Sequence, residues 1–328
     1  MTKISARFAG SAAEIGKTAW NACANPSGAA DPHPFTRHEF FVALEESGSA
    51  VTRTGWRPLH LVIERDGRIE GIMQLYLKGH SQGEYVFDHA WADALERVGG
   101  AYYPKLQSAV PFTPVTGRRL LVAAGADETA TRTALLAAGA AAVEQLSVSS
   151  LHITFQAEEE WQAAGEFGYL QRTDRQFHWE NRGYAGFEEF LGELSSSKRK
   201  NLRKERASIR EAGITFYWLT GNDITEAHWD AFFEFYIDTG GRKWGEPYLT
   251  REFFSRIGKS MSEQILLVMA RRGERTIAGA LNLFGEGVLY GRNWGCIEYV
   301  PFLHFETCYY QAIDFAIARG LGKVEAGA

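Results

Sequence analysis

The sequence predicts an α/β protein made of two tandem copies of one unit, each a mixed, mostly antiparallel sheet flanked by helices. Three observations carry this. The stretches "LHLVIERDGRIEGIMQLYL" (59–77) and "ILLVMARRGERTIAGALNLF" (265–284) share one pattern: an apolar run, a charged turn with Gly, then alternating apolar residues. That is the signature of a β-hairpin. Val62 matches Val268, Gly67 matches Gly273, and Gly71 matches Gly279 once a slightly longer turn is allowed. Downstream, "VPFTPV" (110–115) is echoed by "VPFLHF" (300–305), and each precedes a helical stretch and then a strand. Units of this kind place helices on the faces of a sheet.

In chain order, the first copy continues into an Ala-rich helix, "ETATRTALLAAGAAAVEQL" (128–146), and a strand, "LHITF" (151–155). A short helix (157–166) and a polar-aromatic strand pair, "YLQRTDRQFHWENRGY" (169–184), are expected to close it. The first unit is therefore placed at 1–184. The second, 185–328, opens with a basic helical segment and has its helix at "HFETCYYQAIDFAIAR" (304–319) and its strand at "KVEAG" (323–327). It stops at Ala328 directly after that strand, so its closing strands are expected to be missing from this sequence and the natural chain to be longer.

Bulk properties narrow the function classes. With 328 residues, 45% hydrophobic and 13% aromatic, the chain has material for two cores. Its net charge of −5, from 35 basic and 40 acidic residues, argues against a DNA-coating protein and makes any anion site local. Cys23, Cys296 and Cys308 are too few and too scattered for a disulfide framework or a zinc knuckle. The N-terminus lacks the apolar segment of a signal peptide, and no run approaches the roughly 20 apolar residues of a membrane span. A soluble, cytoplasmic protein with no membrane span is the expectation. No metal site is expected either: "RHEFF" lacks the second His of a zincin, and nothing resembles a Ca²⁺ loop. No Walker or Rossmann pattern follows a strand.

The most basic stretch is "SSSKRKNLRKERASIREAG" (195–213), with seven Lys or Arg against two Glu. Ser195 or Ser196 is placed to cap a helix, and Gly213 to end it. On a helical wheel Arg199, Arg203, Arg206 and Arg210 fall in an arc of about 60°. Leu202 and Ile209 lie on the adjacent edge and form the expected buried contact, while Lys200, Lys204 and Glu211 share a solvated face. An Arg stripe beside a packed edge suits bidentate capture of phosphate or carboxylate in a cleft. The plainer reading is a solvated amphipathic helix.

Specific strings now resemble a known family. "FLGELSSSKRKNLRKERASIREAG", "RKWGEPYLTREFF" and "PFLHFETCYYQAIDFAIARGL" are similar to the FemAB-like branch of the GNAT acyltransferase superfamily. "YLKGHSQGEYVFDHAWADA" and "PFTPVTGRRLL" resemble a bacterial group within it labelled peptidoglycan biosynthesis or recognition. The resemblance runs from about residue 30 to the end. It implies two tandem GNAT-like units and an acyl- or aminoacyltransferase acting on an amine acceptor, a small molecule or a cell-wall precursor. The implied co-substrate is aminoacyl-tRNA, making tRNA a partner, or acyl-CoA, with no tightly bound cofactor. One departure bears on the donor. Acetyl-CoA users carry an Arg/Gln-x-x-Gly-x-Gly/Ala turn before the central helix, whose backbone amides hold the pyrophosphate. Here the second copy reads "VPFLHFETCYYQ" without Gly, and the first reads "PFTPVTGRRLLVAAG" with the wrong spacing.

Acyl transfer to an amine needs a proton acceptor, an oxyanion donor and alignment. In this fold the reaction usually occurs where two central strands splay, which in the second copy is "LYGRNWGCIEYVPFLHFE". His304 and Glu306 are candidate bases there, with Tyr290 a further catalytic candidate, Arg292 on the same strand face, and a Tyr hydroxyl on the following helix (Tyr309 or Tyr310) the candidate oxyanion donor. His304 packing beside Phe302 and Phe305 is the plainer alternative, and Tyr309 and Tyr310 read as core. "DTGGRKWGEPYLT" (238–250) reads as a Gly-rich loop, a candidate lid presenting Arg242, Lys243, Trp244 and Tyr248 to an anionic ligand. In the first copy, Lys78, His80, Glu84, Tyr85 and Asp88 are candidate substrate contacts. The "GHSQG" at 79–83 also matches the nucleophile elbow of serine hydrolases, but that elbow needs a helix directly after it. "EYVF" reads as extended instead, with a helix beginning only around Asp88. Two further classes therefore stand beside a transferase: a non-catalytic GNAT-fold protein binding an anionic ligand, and a serine hydrolase using Ser81.

Overall fold

A computed structural model describes residues 4–243 and 247–326, the side chains of Arg242 and Lys243 excepted. The chain forms two compact units, Met1–Asp174 and Arg175–Ala328. Among the described residues, no helix is long and apolar enough to cross a membrane.

The first unit runs β1 (Ile4–Ala9), α1 (Ala12–Ile15), α2 (Lys17–Ala24), α3 (His38–Glu46), β2 (Trp56–Pro58), β3 (His60–Arg65), β4 (Arg68–Met73) and β5 (Leu75–Lys78). It continues with α4 (His89–Arg97), β6 (Lys105–Ser108), β7 (Leu120–Val122), α5 (Glu128–Gln145), β8 (Leu151–Ile153) and α6 (Glu158–Phe167). The predicted hairpin is β3–β4. It turns on Asp66 and Gly67, both in the left-handed region (φ 50° and 80°), as a two-residue hairpin turn requires. The single sheet expected here is in fact two four-stranded sheets, β1-β3-β4-β7 and β2-β5-β6-β8. The division falls at Gln74. Met73 still pairs with Leu120 of β7, whereas Leu75 pairs with Ser108 of β6, so one extended run passes from one sheet to the other.

The second unit runs β9 (His178–Glu180), α7 (Phe187–Gly192), α8 (Ser196–Glu211), β10 (Ile214–Thr220), α9 (Glu226–Lys243) and α10 (Arg251–Ser260). Then come β11 (Ile265–Arg272), β12 (Arg275–Gly285), β13 (Val288–Cys296), α11 (Leu303–Phe305), a π-helical turn at Glu306–Tyr310, α12 (Gln311–Arg319) and β14 (Lys323–Glu325). One six-stranded sheet is ordered β10-β11-β12-β13-β14-β9. The strand pair expected at 169–184 does not form. Only β9 is a strand, and it pairs antiparallel with β14, Trp179 opposite Val324. Trp179 packs into the second unit's core, so that unit begins at Arg175 rather than 185. The expected loop at 238–250 is also corrected: α9 extends to Lys243 through Gly240 and Gly241. Gly240 is used for close approach, since a Cβ there would lie 2.8 Å from Pro247 Cγ.

The repeat is real, but its hairpin register shifts. In the first unit α5 covers Leu61, Ile63, Met73 and Leu75. In the second, α12 covers Leu266, Val268, Ala280 and Leu289. Both helices lie in the crossover between parallel neighbours, α5 after β7 on the way from β6 to β8, and α12 between β13 and β14. Such crossovers share one hand, so the two covered faces correspond. Matching Val62 to Val268 sets these faces opposite each other, because a one-residue slip inverts a strand. The "VPF" echo holds in conformation: Phe112 and Phe302 both take left-handed backbone (φ 59° and 67°).

Candidate functional site

The basic segment folds as its sequence requires. Ser195 caps α8, its hydroxyl accepting from the Lys198 amide, and Gly213 follows at φ 72°. Ile209 is buried against Leu303, and Leu202 packs beside Leu191 and Tyr310. The Arg stripe then divides. Arg206 Nη2 donates to Glu306 Oε1 (2.9 Å) and Asp314 Oδ2 (2.6 Å), its Nε donates to Glu306 Oε2 (3.2 Å), and its guanidinium lies 4.4 Å over the Phe187 ring. Arg203 pairs with Glu188 at the surface (2.6 Å). Arg199 is half-buried and Arg210 exposed. Among the described residues Lys198, Arg199, Lys200, Lys204 and Arg210 form no hydrogen bond or ion pair through their side chains.

This arrangement reassigns two of the predicted site residues. Glu306 is buried and saturated: Gln311 Nε2 adds a third hydrogen bond at 2.8 Å. It serves as Arg206's counter-ion and, with Asp314, occupies the Nε and Nη2 donors of that guanidinium. His304 is exposed and packs against Trp294 (5.0 Å), Phe305 and Tyr309. Tyr310 is buried, its hydroxyl donating to Glu205 Oε2 at 2.5 Å. Tyr248 is exposed. The side chains of Arg242 and Lys243, and all of Trp244, lie outside the described residues.

Tyr290 sits on the other face of the sheet. Leu289 and Val324 point at α12, so Tyr290 and its in-register partner Glu325 point away from it. Arg292, two residues on, shares that face, and the β12–β13 register shift between Leu281 and Asn282 leaves it as the extra residue of a bulge. Its guanidinium lies 5.3 Å from the Tyr290 ring and 3.7 Å from Glu325 Oε2. The side chains of Arg292 and Glu325 are only 4% and 7% exposed, so their charges interact through little water. Glu325 Oε2 accepts no hydrogen bond from the described residues, and Oε1 is 3.7 Å from Nε2 of the partly exposed His178. Burial, then the nearby Glu325, push the Tyr290 hydroxyl's pKa well up, so it remains a donor. Sequence reasoning missed Glu325. Its strand was identified, but only the pairing of Tyr290 with Glu325 shows which residue of "KVEAG" joins the cluster.

In the first unit the structure brings Lys78 and Asp88 together with partners the sequence did not connect. Lys78 and Lys105 are cross-strand neighbours. Lys105 Nζ donates to Ser81 Oγ (3.0 Å), Glu84 Oε2 (2.7 Å) and Asp88 Oδ2 (2.5 Å), and all of these groups are buried. Lys78 Nζ lies 3.5 Å from the Trp56 ring centroid, donates to the Gln82 carbonyl and stands 3.9 Å from Glu84 Oε1. Burial lowers its pKa to about 7 and raises that of Glu84. Tyr102 donates to Asp88 Oδ2 (2.7 Å) and lies 3.5 Å from His152 Nε2. Burial, then Lys105, hold His152 down to about 4, so it is neutral. His80 and Tyr85 stay outside this cluster: His80 packs over Gly55, and Tyr85 is exposed at φ 56°. Ser81 is no nucleophile elbow. A turn and extended chain follow it, α4 begins only at His89, and its hydroxyl is held by Tyr103 (2.7 Å) and Lys105.

Comparison with known proteins bears on the whole chain. A family model described as FemAB-like, peptidoglycan biosynthesis/recognition, matches residues 11–328. No curated protein matches. Among solved structures, FemX is similar at 12% identity and TM-score 0.52, covering 95% of this chain and 87% of its own. L-PGS from Bacillus licheniformis is similar at 13% identity and TM-score 0.50, covering 90% and 79%. A tandem GNAT protein from the clavulanic acid biosynthesis pathway reaches 11% identity and TM-score 0.49, covering 98% and 89%. At such identities the likeness is one of fold.

Proposed function

The chain belongs to the FemAB-like family, and from that premise we propose that it is an acyl- or aminoacyltransferase joining an activated acyl group to an amine of a cell-wall precursor. The observation that supports the chemistry is the buried Tyr290–Arg292–Glu325 cluster where β13 and β14 part. In this reading the acceptor amine attacks the donor carbonyl and Glu325 takes the amine proton. The Tyr290 hydroxyl and the Arg292 charge stabilise the tetrahedral oxyanion. Collapse expels the donor's leaving oxygen or sulfur, which takes the proton held by Glu325 and regenerates its carboxylate.

Aminoacyl-tRNA is the preferred donor, for two reasons. The start of the crossover helix has Phe302 where a pyrophosphate-binding turn needs glycine. Meanwhile α8 keeps five basic side chains unpaired within the described residues, as a phosphate backbone needs. The test is to incubate the full chain with a cell-wall precursor and either charged tRNA or acyl-CoA, and to read acylation of the precursor amine by mass spectrometry. Transfer from acyl-CoA alone would reverse the donor assignment. Tight precursor binding with no transfer from either donor would make this a binding protein instead.

A further inference from the structure

Lys105 shows how the first unit holds an ammonium group. Its three N–H donors meet three acceptors, Ser81 Oγ, Glu84 Oε2 and Asp88 Oδ2. The other oxygens of the same two carboxylates are left over. Glu84 Oε1 and Asp88 Oδ1 are buried and accept no hydrogen bond from the described residues, and neither does Gln107 Oε1. Gln107 lies two residues from Lys105 along β6, so both side chains project from one sheet face. Its Nε2 is already directed to Thr154 Oγ1 at 2.9 Å. Buried acceptors in this condition are costly, about 1–3 kcal/mol each, unless something supplies donors.

We propose that this leftover set, Glu84 Oε1, Asp88 Oδ1 and Gln107 Oε1, is a binding site for a primary alkylammonium group beneath the 79–88 loop. The spare valences are three acceptors, matching a head group with three donors. Charge agrees: Lys105 faces both carboxylates, and Lys78, 3.9 Å from Glu84 Oε1 with its pKa lowered to about 7 by burial, adds only part of a second positive charge near pH 7. The rim agrees as well, because Tyr85, Phe87 and Trp91 are exposed where the loop runs into α4. Those rings suit the methylenes behind an ammonium, and Trp91 already carries a cation on its ring, the Arg172 guanidinium at 5.3 Å. A neutral alcohol of equal length would bring one donor and no charge.

The test uses the full chain with cadaverine and n-butylamine as probes and n-pentanol as the uncharged control, followed by titration calorimetry. Saturable one-to-one binding of the amines and none of the alcohol is expected. Glu84→Gln should weaken amine binding about tenfold or more, the scale of a hydrogen bond to a charged group. Gln107→Leu lies outside the ion pairs and reads the same site if Glu84→Gln fails to fold. Its expected effect is a several-fold loss of amine affinity in a variant that still melts cooperatively, with the Thr154 hydrogen bond lost. No saturable amine binding, equal binding of the alcohol, or amine affinity unchanged in every folded variant would overturn the site and leave buried water as its occupant. Since binding is read without turnover, the outcome is independent of whether the chain transfers acyl groups.

Discussion

Arg206 grips Glu306 through two of its nitrogens, joining α8 to the π-helical turn at the start of the crossover helix. Each of these residues reads from sequence as a candidate for ligand chemistry, one as an anion binder and one as a base. Together they neutralise each other, with Asp314 and Gln311 completing the shell. Removing one partner strands a buried charge, which typically costs about 3–5 kcal/mol. Arg206→Ala and Glu306→Ala should therefore each lower the melting temperature strongly. The double variant should lose much less than the sum, a coupling that a double-mutant cycle measures directly. Independent, additive losses would show that the two residues do not act as a pair.

Arg203 and the unpaired α8 cations behave differently. Reversing Lys200 and Lys204 to Glu should leave thermal stability nearly unchanged, since neither side chain has a partner to lose among the described residues. Affinity for tRNA should fall, and the salt dependence of its binding should flatten by about one unit per cation removed. Unchanged tRNA affinity, measured by filter binding across a salt series, would assign the helix to solvent alone.

Lys78 makes stability pH-dependent with a definite sign. Its pKa is near 7 in the folded unit and near the ordinary value of 10.5 in the unfolded chain. Between those values the unfolded state binds the extra proton, so stability rises with pH across the window. It is lost again as pH falls toward 7, below which the full penalty of protonating a buried lysine is present. The slope contributed is at most about 1.4 kcal/mol per pH unit. Lys78→Met keeps the contact with Trp56 and removes the proton. It should be more stable than the parent at pH 6 and should lose this part of the slope in urea melts between pH 7 and 10. A parallel pair of pH profiles would show that Lys78 is not desolvated.

How far the sequence could be read explains which of these residues were found. The hairpins, the crossover helices and the cap of α8 all follow from local periodicity and turn residues, because those signals act over a few positions. Glu325 and Lys105 did not show. Their roles come from strand pairing, Tyr290 with Glu325 and Lys78 with Lys105, and pairing joins residues about 30 positions apart. The hairpin match between the repeats failed by one residue for a related reason. Identical glycines align turns, but only the covering helix tells which face of a strand is inside.

Gly295 is an example of close packing that fixes the position of β13. A Cβ at this position would stand 2.1 Å from the Phe235 carbonyl oxygen and 2.6 Å from the Tyr236 nitrogen. These are backbone atoms of α9, so no rotamer change relieves the clash. Gly295→Ala must push α9 off the strand or shift β13, and a loss of several kcal/mol is expected, larger than a typical point substitution. Gly241→Ala in the same helix has nothing within 4 Å of the added methyl and should be neutral or slightly stabilising. Equal melting temperatures for the two variants would refute the contact.

The transfer chemistry rests on Tyr290 and Glu325, and conservative changes separate their roles. Tyr290→Phe keeps the ring beside Arg292 and deletes only the hydroxyl donor, so kcat should fall by about 10²- to 10³-fold with KM little changed. Glu325→Gln keeps the shape and removes the proton acceptor, for an expected loss of about 10²- to 10⁴-fold. If Glu325 is the base that takes the acceptor's proton, the Gln variant should recover rate as rising pH deprotonates the amine in solution, and no recovery would assign Glu325 to positioning alone. His304→Ala serves as the contrast. Its ring packs on Trp294 and Tyr309 at the surface, so its removal should cost a little stability and leave kcat intact. A collapse of kcat in His304→Ala, with Glu325→Gln near wild type, would return the base to the helix start and remove the β13–β14 cluster from the reaction.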